Sequence, residues 1–307
     1  MLGSAGSSIS KALACFGVMA ALASGGAAQA ADYGSPILDP TPVAEQMPAV
    51  DGINFKAGFV SGVIGGYANH MFLASVATPF PYFDQFGAQL DLGIGNYRSD
   101  YISAAAGLHL FWRDPSIGLL GIYGDWGYVN PEHAGRVGFE AAIYNGPWTL
   151  EGVAGVTFGQ HVLTQFFDEV DLAYYFTDNF KGSIGHRLTT RGNVGNISFE
   201  YMPELGAMNG WSIYGEAEAG EDEYYGAWVG LRYSFGNSKA NTLKERDRQA
   251  DPTVRIPRNL ASVTRCGDIQ DPARYHKSWN GFATHYTKNL CGSKDDLNEY
   301  GAIEGKL

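Results

Sequence analysis

The sequence predicts an all-β fold, an antiparallel barrel of about twelve strands long enough to cross a bilayer. Three observations carry this. Glycine is 41 of 307 residues and aromatics make up 13%, yet Asp, Glu, Lys and Arg together reach only 17%, below the roughly 25% of ordinary soluble domains. Segments that alternate apolar and small or polar residues run to about ten residues or more, longer than the usual five or six of globular sheets. No stretch approaches the roughly 20 apolar residues of a membrane-spanning helix. The 18 Tyr, 17 Phe and 6 Trp argue against a disordered chain. A net charge of −11 argues against nucleic acid as a partner.

From the N-terminus, Lys11 precedes the apolar run Ala12 to Leu22, and Ala28-Gln29-Ala30 supplies a small-x-small cleavage pattern. Residues 1–30 therefore read as an export signal. A short membrane anchor is the alternative, but the run is too short and ends in small residues. Residues 31–51, with Pro36, Pro40, Pro42 and Pro48, read as a Pro-rich linker. From residue 31 to 235 there are eight Lys and Arg against 23 Asp and Glu; from 236 to 307 there are twelve against nine. The charge balance thus changes sign just after Phe235, which separates a barrel over 52–235 from a basic tail over 236–307.

The alternation is clearest in the last strand. Tyr225, Ala227, Val229, Leu231, Tyr233 and Phe235 share one face, opposite Gly226, Trp228, Gly230, Arg232 and Ser234. Phe86, Ala88, Leu90, Leu92 and Ile94 oppose Gln85, Gly87, Gln89 and Asp91. Val137, Phe139, Ala141 and Ile143 oppose Arg136, Gly138, Glu140 and Ala142. Trp211, Ile213, Gly215, Ala217 and Ala219 oppose Ser212, Tyr214, Glu216 and Glu218. A soluble sandwich would turn the apolar face inward and charge the other heavily. Here the second face is mostly glycine, serine and isolated charges, so the apolar face is expected to meet lipid and the polar face a lumen. Aromatics near the strand ends, among them Tyr97, Trp112, Trp148, Phe180, Tyr201 and Trp211, suit interface girdles.

Strands are expected near 53–65, 67–78, 84–96, 100–112, 117–128, 133–145, 147–159, 166–177, 180–190, 193–203, 211–220 and 224–235. Ten or fourteen remain alternatives. Closure removes sheet edges, which lipid does not tolerate. An even count returns both chain ends to one side. Arg113-Asp114-Pro115-Ser116, Tyr144-Asn145-Gly146-Pro147 and Thr177-Asp178-Asn179 read as tight turns on that side. The loops on the far side are short, which excludes a large external domain.

The stretch Trp228-Val229-Gly230-Leu231-Arg232-Tyr233-Ser234-Phe235 is similar to the final strand of bacterial outer-membrane β-barrels of the porin-like class. Asp171 to Phe180 also resembles a strand–turn–strand pattern common in that class. The resemblance implies a bacterial outer-membrane location and two macromolecular surroundings, the bilayer and the barrel-assembly machinery, which would read Tyr233 and Phe235. It does not extend to the roughly 70 residues after Phe235, since porins usually stop at the terminal Phe.

Candidate lumen-lining residues are Lys56, Gln89, Asp91, His109, Arg113, Asp125, Arg136, Glu140, Glu151, Asp171, Lys181, Arg187, Glu200, Glu216, Glu218 and Arg232. Two readings stay open. In one, mixed charges line a narrow passive channel for small solutes or ions with a slight cation preference. In the other, the charges pair across the lumen and fill a closed structural or surface-interaction barrel. A lipid-modifying enzyme is a third reading. Its nearest local pattern, Ser183 and His186, is three residues apart on a strand and so faces opposite sides. His70, His133 and His161 fall in expected loops, where scattered surface histidine is commoner than a metal site; no cofactor or metal is expected.

In the tail, a charged helix-like start at Leu243 to Arg248 breaks at Pro252 and Pro257. Cys266 and Cys291, the thiols left after cleavage, bracket Tyr275, Trp279, Phe282 and Tyr286. The tail reads as a disulfide-closed periplasmic subdomain or as a disordered extension with free thiols. Its basic balance could dock on the acidic barrel mouth or on another periplasmic partner.

Overall fold

The computed structural model describes residues 47–64, 67–97, 101–129, 132–159, 164–189, 192–204, 206, 210–221 and 224–259. The export segment, most of the expected linker and the pair Cys266 and Cys291 lie outside them. Twelve strands form: β1 (Asn54–Ile64), β2 (Tyr67–Phe80), β3 (Phe83–Tyr97), β4 (Tyr101–Asp114), β5 (Gly118–Val129), β6 (Glu132–Asn145), β7 (Trp148–Gly159), β8 (Gln165–Thr177), β9 (Phe180–Thr189), β10 (Gly192–Tyr201), β11 (Trp211–Gly220) and β12 (Tyr225–Gly236). Each pairs antiparallel with its sequence neighbours, and β1 pairs with β12 to close the barrel. The seam runs from Asn54 opposite Gly236, through Phe55 opposite Phe235, to Val63 opposite Ala227. This is the closed antiparallel barrel that the alternation predicts.

The hydrophobicity is inverted relative to a soluble protein. Phe72 is 65% exposed, Phe139 63%, Ile184 61% and Leu231 53%, while Gln89, Asp91, His109 and Arg113 are completely buried. Alternation along each strand sends the apolar set outward, the arrangement expected of a barrel that spans a bilayer. Around the end where β1 begins and β12 ends, the terminal end, ring contacts follow one another on the outer face. Trp148 meets Tyr174 at 4.6 Å, Tyr174 meets Phe176 at 5.0 Å, and Phe176 meets Phe180 at 5.4 Å. Along β12, Tyr233 meets Phe235 at 5.6 Å, and across the seam Phe235 stacks on Phe55 at 5.4 Å.

Turns at this end are tight. Pro81-Tyr82 joins β2 to β3 with Tyr82 in the left-handed region, φ 69°. Gly146, φ 55°, opens the β6–β7 connection before Pro147. The Asp114 carboxylate accepts from the Ser116 amide at 2.9 Å and its hydroxyl at 2.6 Å, an Asx turn that fixes the β4–β5 link.

After β12 the chain crosses the terminal end as helix α1 (Leu243–Gln249) and the short α2 (Ile256–Asn259). Thr242 caps α1: its hydroxyl accepts from the Glu245 amide, and the Glu245 carboxylate accepts from the Thr242 amide, each at 3.2 Å. Such a reciprocal cap contributes about 1 kcal/mol. Of the basic segment, the described residues up to 259 reach the acidic wall inside the lumen rather than at its mouth. Residues 47–51, expected to belong to a free linker, also tuck into that end. Val50 is fully buried with Phe111 and Leu119, and the Ala49 carbonyl accepts from Arg113 Nη1 at 3.1 Å.

Candidate functional site, a charged lumen with its own plug

Three layers fill the lumen. Toward the end away from the termini, Val60, Ile64, Met71, Val129, Val194, Tyr224 and Trp228 pack into a buried apolar cluster. The middle layer is ionic. Near the terminal end lie residues 47–51, α1 and the segment that leads to α2.

Strand alternation places the middle layer. His109 on β4 sits between two carboxylates, its Nδ1 2.8 Å from Glu140 Oε2 and its Nε2 3.2 Å from Asp91 Oδ2. Arg136 on β6 bridges Asp125, at 2.5 Å from Nη2, and Glu169, at 2.5 Å from Nη1. Its guanidinium lies over the Phe167 ring at 5.0 Å, and Tyr123 donates to Asp125. Arg187 on β9 pairs with Glu216, and with Glu218 at 2.5 Å. Arg232 on β12 reaches Glu200 at 3.0 Å and covers the Tyr214 ring at 4.3 Å. Buried charges persist only when partnered, since removing one member of such a pair costs about 3–5 kcal/mol.

The tail completes this network. Asp251 pairs with Lys56, and Gln89 donates to the Pro252 carbonyl at 3.3 Å. Thr253 donates to the Glu151 carboxylate at 3.0 Å. Arg255 Nη1 lies 3.3 Å from Glu169 Oε2, and its Nη2 3.8 Å from Glu151 Oε1. Arg258 donates through Nη1 to Asp171 at 2.7 Å and through Nη2 to Glu216 at 2.8 Å. Between the two arginines, Ile256 is fully buried against glycines of the wall. A Cβ at Gly107 would stand 2.7 Å from Ile256 Cγ2, and one at Gly93 3.1 Å from its Cδ1. Glycine at these positions is what lets the segment lie against β3 and β4. Lower down, Lys181 and Tyr175 both bond Asp247 of α1, at 2.5 Å and 2.7 Å.

The sixteen candidates lie on the inward face of their strands: Lys56, Gln89, Asp91, His109, Arg113, Asp125, Arg136, Glu140, Glu151, Asp171, Lys181, Arg187, Glu200, Glu216, Glu218 and Arg232. Tyr233 and Phe235 lie on the outer face. Several participants were not among the sequence candidates, Glu169, Asp251, Arg255 and Arg258 among them. Glu169 shares its strand face with Asp171, so the period-two pattern of β8 could have found it. Arg255 and Arg258 carried no local signal, because nothing in a charged, Pro-broken tail marks it as returning into a barrel.

Ser183 and His186 do not meet. Ser183 bonds Ser198 at 2.6 Å, whereas His186, on the outer face, lies 3.0 Å from Asn193 and 3.3 Å from Asp168. His70 bonds Ser61 at 2.7 Å and His133 packs beside Trp126; His161 lies outside the described residues. Among the described residues no group of His, Cys, Asp and Glu is arranged to hold a metal.

No family model and no curated protein matches the chain. Solved structures similar to it include a KdgM porin in complex with disordered oligogalacturonate, at 12% identity and TM-score 0.47, covering 59% of this chain and 99% of that one. The translocator domain of autotransporter NalP from Neisseria meningitidis has 17% identity and TM-score 0.39, covering 60% and 88%. Outer membrane phospholipase A from Escherichia coli has 12% identity and TM-score 0.40, covering 63% and 94%.

Proposed function

We propose that this chain is an outer-membrane porin-like channel closed at rest by its own C-terminal segment. It would pass small solutes or ions, with a preference for cations, once that segment withdraws. The observation that carries the reading is the placement of Arg255 and Arg258 on wall carboxylates inside the lumen. A barrel built only as a scaffold has no need of an appended, noncovalently held plug, because its own side chains can fill it. The wall is polar, and among the described inward residues nine Asp and Glu face six Lys and Arg. Withdrawal of the tail arginines would leave a lumen with an excess of negative charge, which favours cations at close quarters. The barrel-assembly machinery would insert the chain, with Phe235 on the closing strand as its recognition point.

The apolar cluster at the far end favours a second reading, a permanently closed barrel. Planar-bilayer recording separates the two. The native chain should conduct rarely, and Arg255→Gln/Arg258→Gln should open more often, with a reversal potential in a KCl gradient of the sign for cations. Silence of both proteins would select the closed barrel. Membrane fractionation should recover the protein in the outer membrane, with gel mobility that changes on boiling. Recovery as soluble periplasmic protein would reject the location.

A further inference from the structure

Among the described residues, two wall carboxylates form ion pairs only with the tail. Asp171 accepts from the Asn196 amide at 2.9 Å and otherwise pairs with Arg258 and Arg255. Glu151 accepts from Thr253 and pairs with Arg255. Glu169 and Glu216, already bonded to Arg136 and Arg187, each add Arg258 as a further partner. We propose that Glu151, Glu169, Asp171 and Glu216 form a guanidinium-binding site, occupied in this conformation by the chain's own arginines. The solutes admitted when the tail withdraws would then be guanidinium-bearing cations, such as arginine-containing peptides.

The geometry favours guanidinium over a simple cation. The two nitrogens of the Arg258 fork divide between separate parts of the wall, Asp171 on β8 and Glu216 on β11. A planar fork with donors in two fixed directions makes both bonds at once, whereas an ammonium is a compact point charge without that fixed fork. Electrostatics then requires an occupant. With the tail gone, Asp171 would be a buried carboxylate stripped of its ion-pair partners and the half-buried Glu151 would lose Arg255, a state costly enough to draw another cation into their place. A cavity beside Arg258, lined by Ser183, Ser198 and Tyr214, offers space for the rest of a ligand. The binding site stands on these contacts, whereas its role in solute choice rests on the channel reading above.

Chemical rescue tests it on the full-length protein in detergent. Arg258→Ala should unfold at a lower temperature, and methylguanidinium should restore the midpoint saturably. Half-saturation should come at about a tenfold lower concentration than for methylammonium, given two simultaneous charge-assisted bonds to separate carboxylates. Adding Asp171→Asn should remove that difference. Equal effects of methylguanidinium, methylammonium and sodium would overturn the assignment. Should Arg258→Ala fail to assemble, the native chain answers instead. Tri-arginine should accelerate hydrogen exchange over residues 250–259 more than tri-lysine does at equal ionic strength, and no difference between them would overturn the site. Neither readout needs an open pore. Rescue in a barrel that never conducts keeps the site and removes the channel, whereas conduction without rescue does the reverse.

Discussion

Arg258 Nη1 lies 2.7 Å from Asp171 Oδ2, although the two residues are 87 positions apart in the chain. That bond ties the segment after the closing strand to the wall of the barrel it has just completed. Its other ties include Lys56 to Asp251, Glu151 to Thr253, and Ile256 against Gly93 and Gly107.

Asp171→Asn keeps the shape of the side chain and removes its charge, leaving Arg258 with Glu169 and Glu216. A lost charge-assisted bond weakens the docked segment by about 1.5–3 kcal/mol. Hydrogen exchange over residues 255–259 should therefore quicken by roughly tenfold or more, while exchange in β4 and β5 stays slow. Unchanged exchange in the tail would reject Asp171 as an anchor.

Gly107→Val should expel the plug by sterics alone. Its first added carbon would stand 2.7 Å from Ile256 Cγ2, and such overpacking costs about 1–3 kcal/mol. Protease should then cut the tail faster while the boiling-dependent gel shift of the barrel persists. Combining the milder Gly107→Ala with Ile256→Ala should be less harmful than the sum of the singles, because one change makes room for the other. Additive effects would mean that these two residues do not meet.

His109→Leu would leave Asp91 and Glu140 buried on either side of an apolar group. Loss of the shared partner should cost about 3–5 kcal/mol, read as a lower temperature for the gel shift. Combining it with Glu140→Gln and Asp91→Asn should recover part of the loss, since the uncompensated charges are then gone. No recovery would assign the effect to packing against Tyr123, whose ring centroid is 4.7 Å from that of His109.

Phe235→Asp should lower the amount of membrane-inserted protein several-fold. Near the bilayer interface a carboxylate on the lipid face costs only about 0–1 kcal/mol, so energetics alone would barely register. Phe55→Asp supplies the control, because Phe55 stacks on Phe235 at 5.4 Å across the seam. Equal losses from both would attribute the effect to the seam rather than to recognition of the closing strand.

The sequence by itself determined that the barrel has an even number of strands close to twelve, and which face of each strand is apolar and which is polar. Alternation is a local property: neighbouring side chains on a strand leave on opposite sides whatever the strand pairs with. The same pattern holds Glu169 beside Asp171 on one face. Tertiary structure alone decided which inward charges meet, and that residues 250–259 lie among them. Closure of β1 on β12 sets how far round the barrel Glu216 stands from Asp171, and no periodicity encodes that distance. The return of Arg255 and Arg258 into the lumen is likewise nonlocal. A buried carboxylate must find a counter-charge, but which cation supplies it depends on where the chain has been carried by the fold.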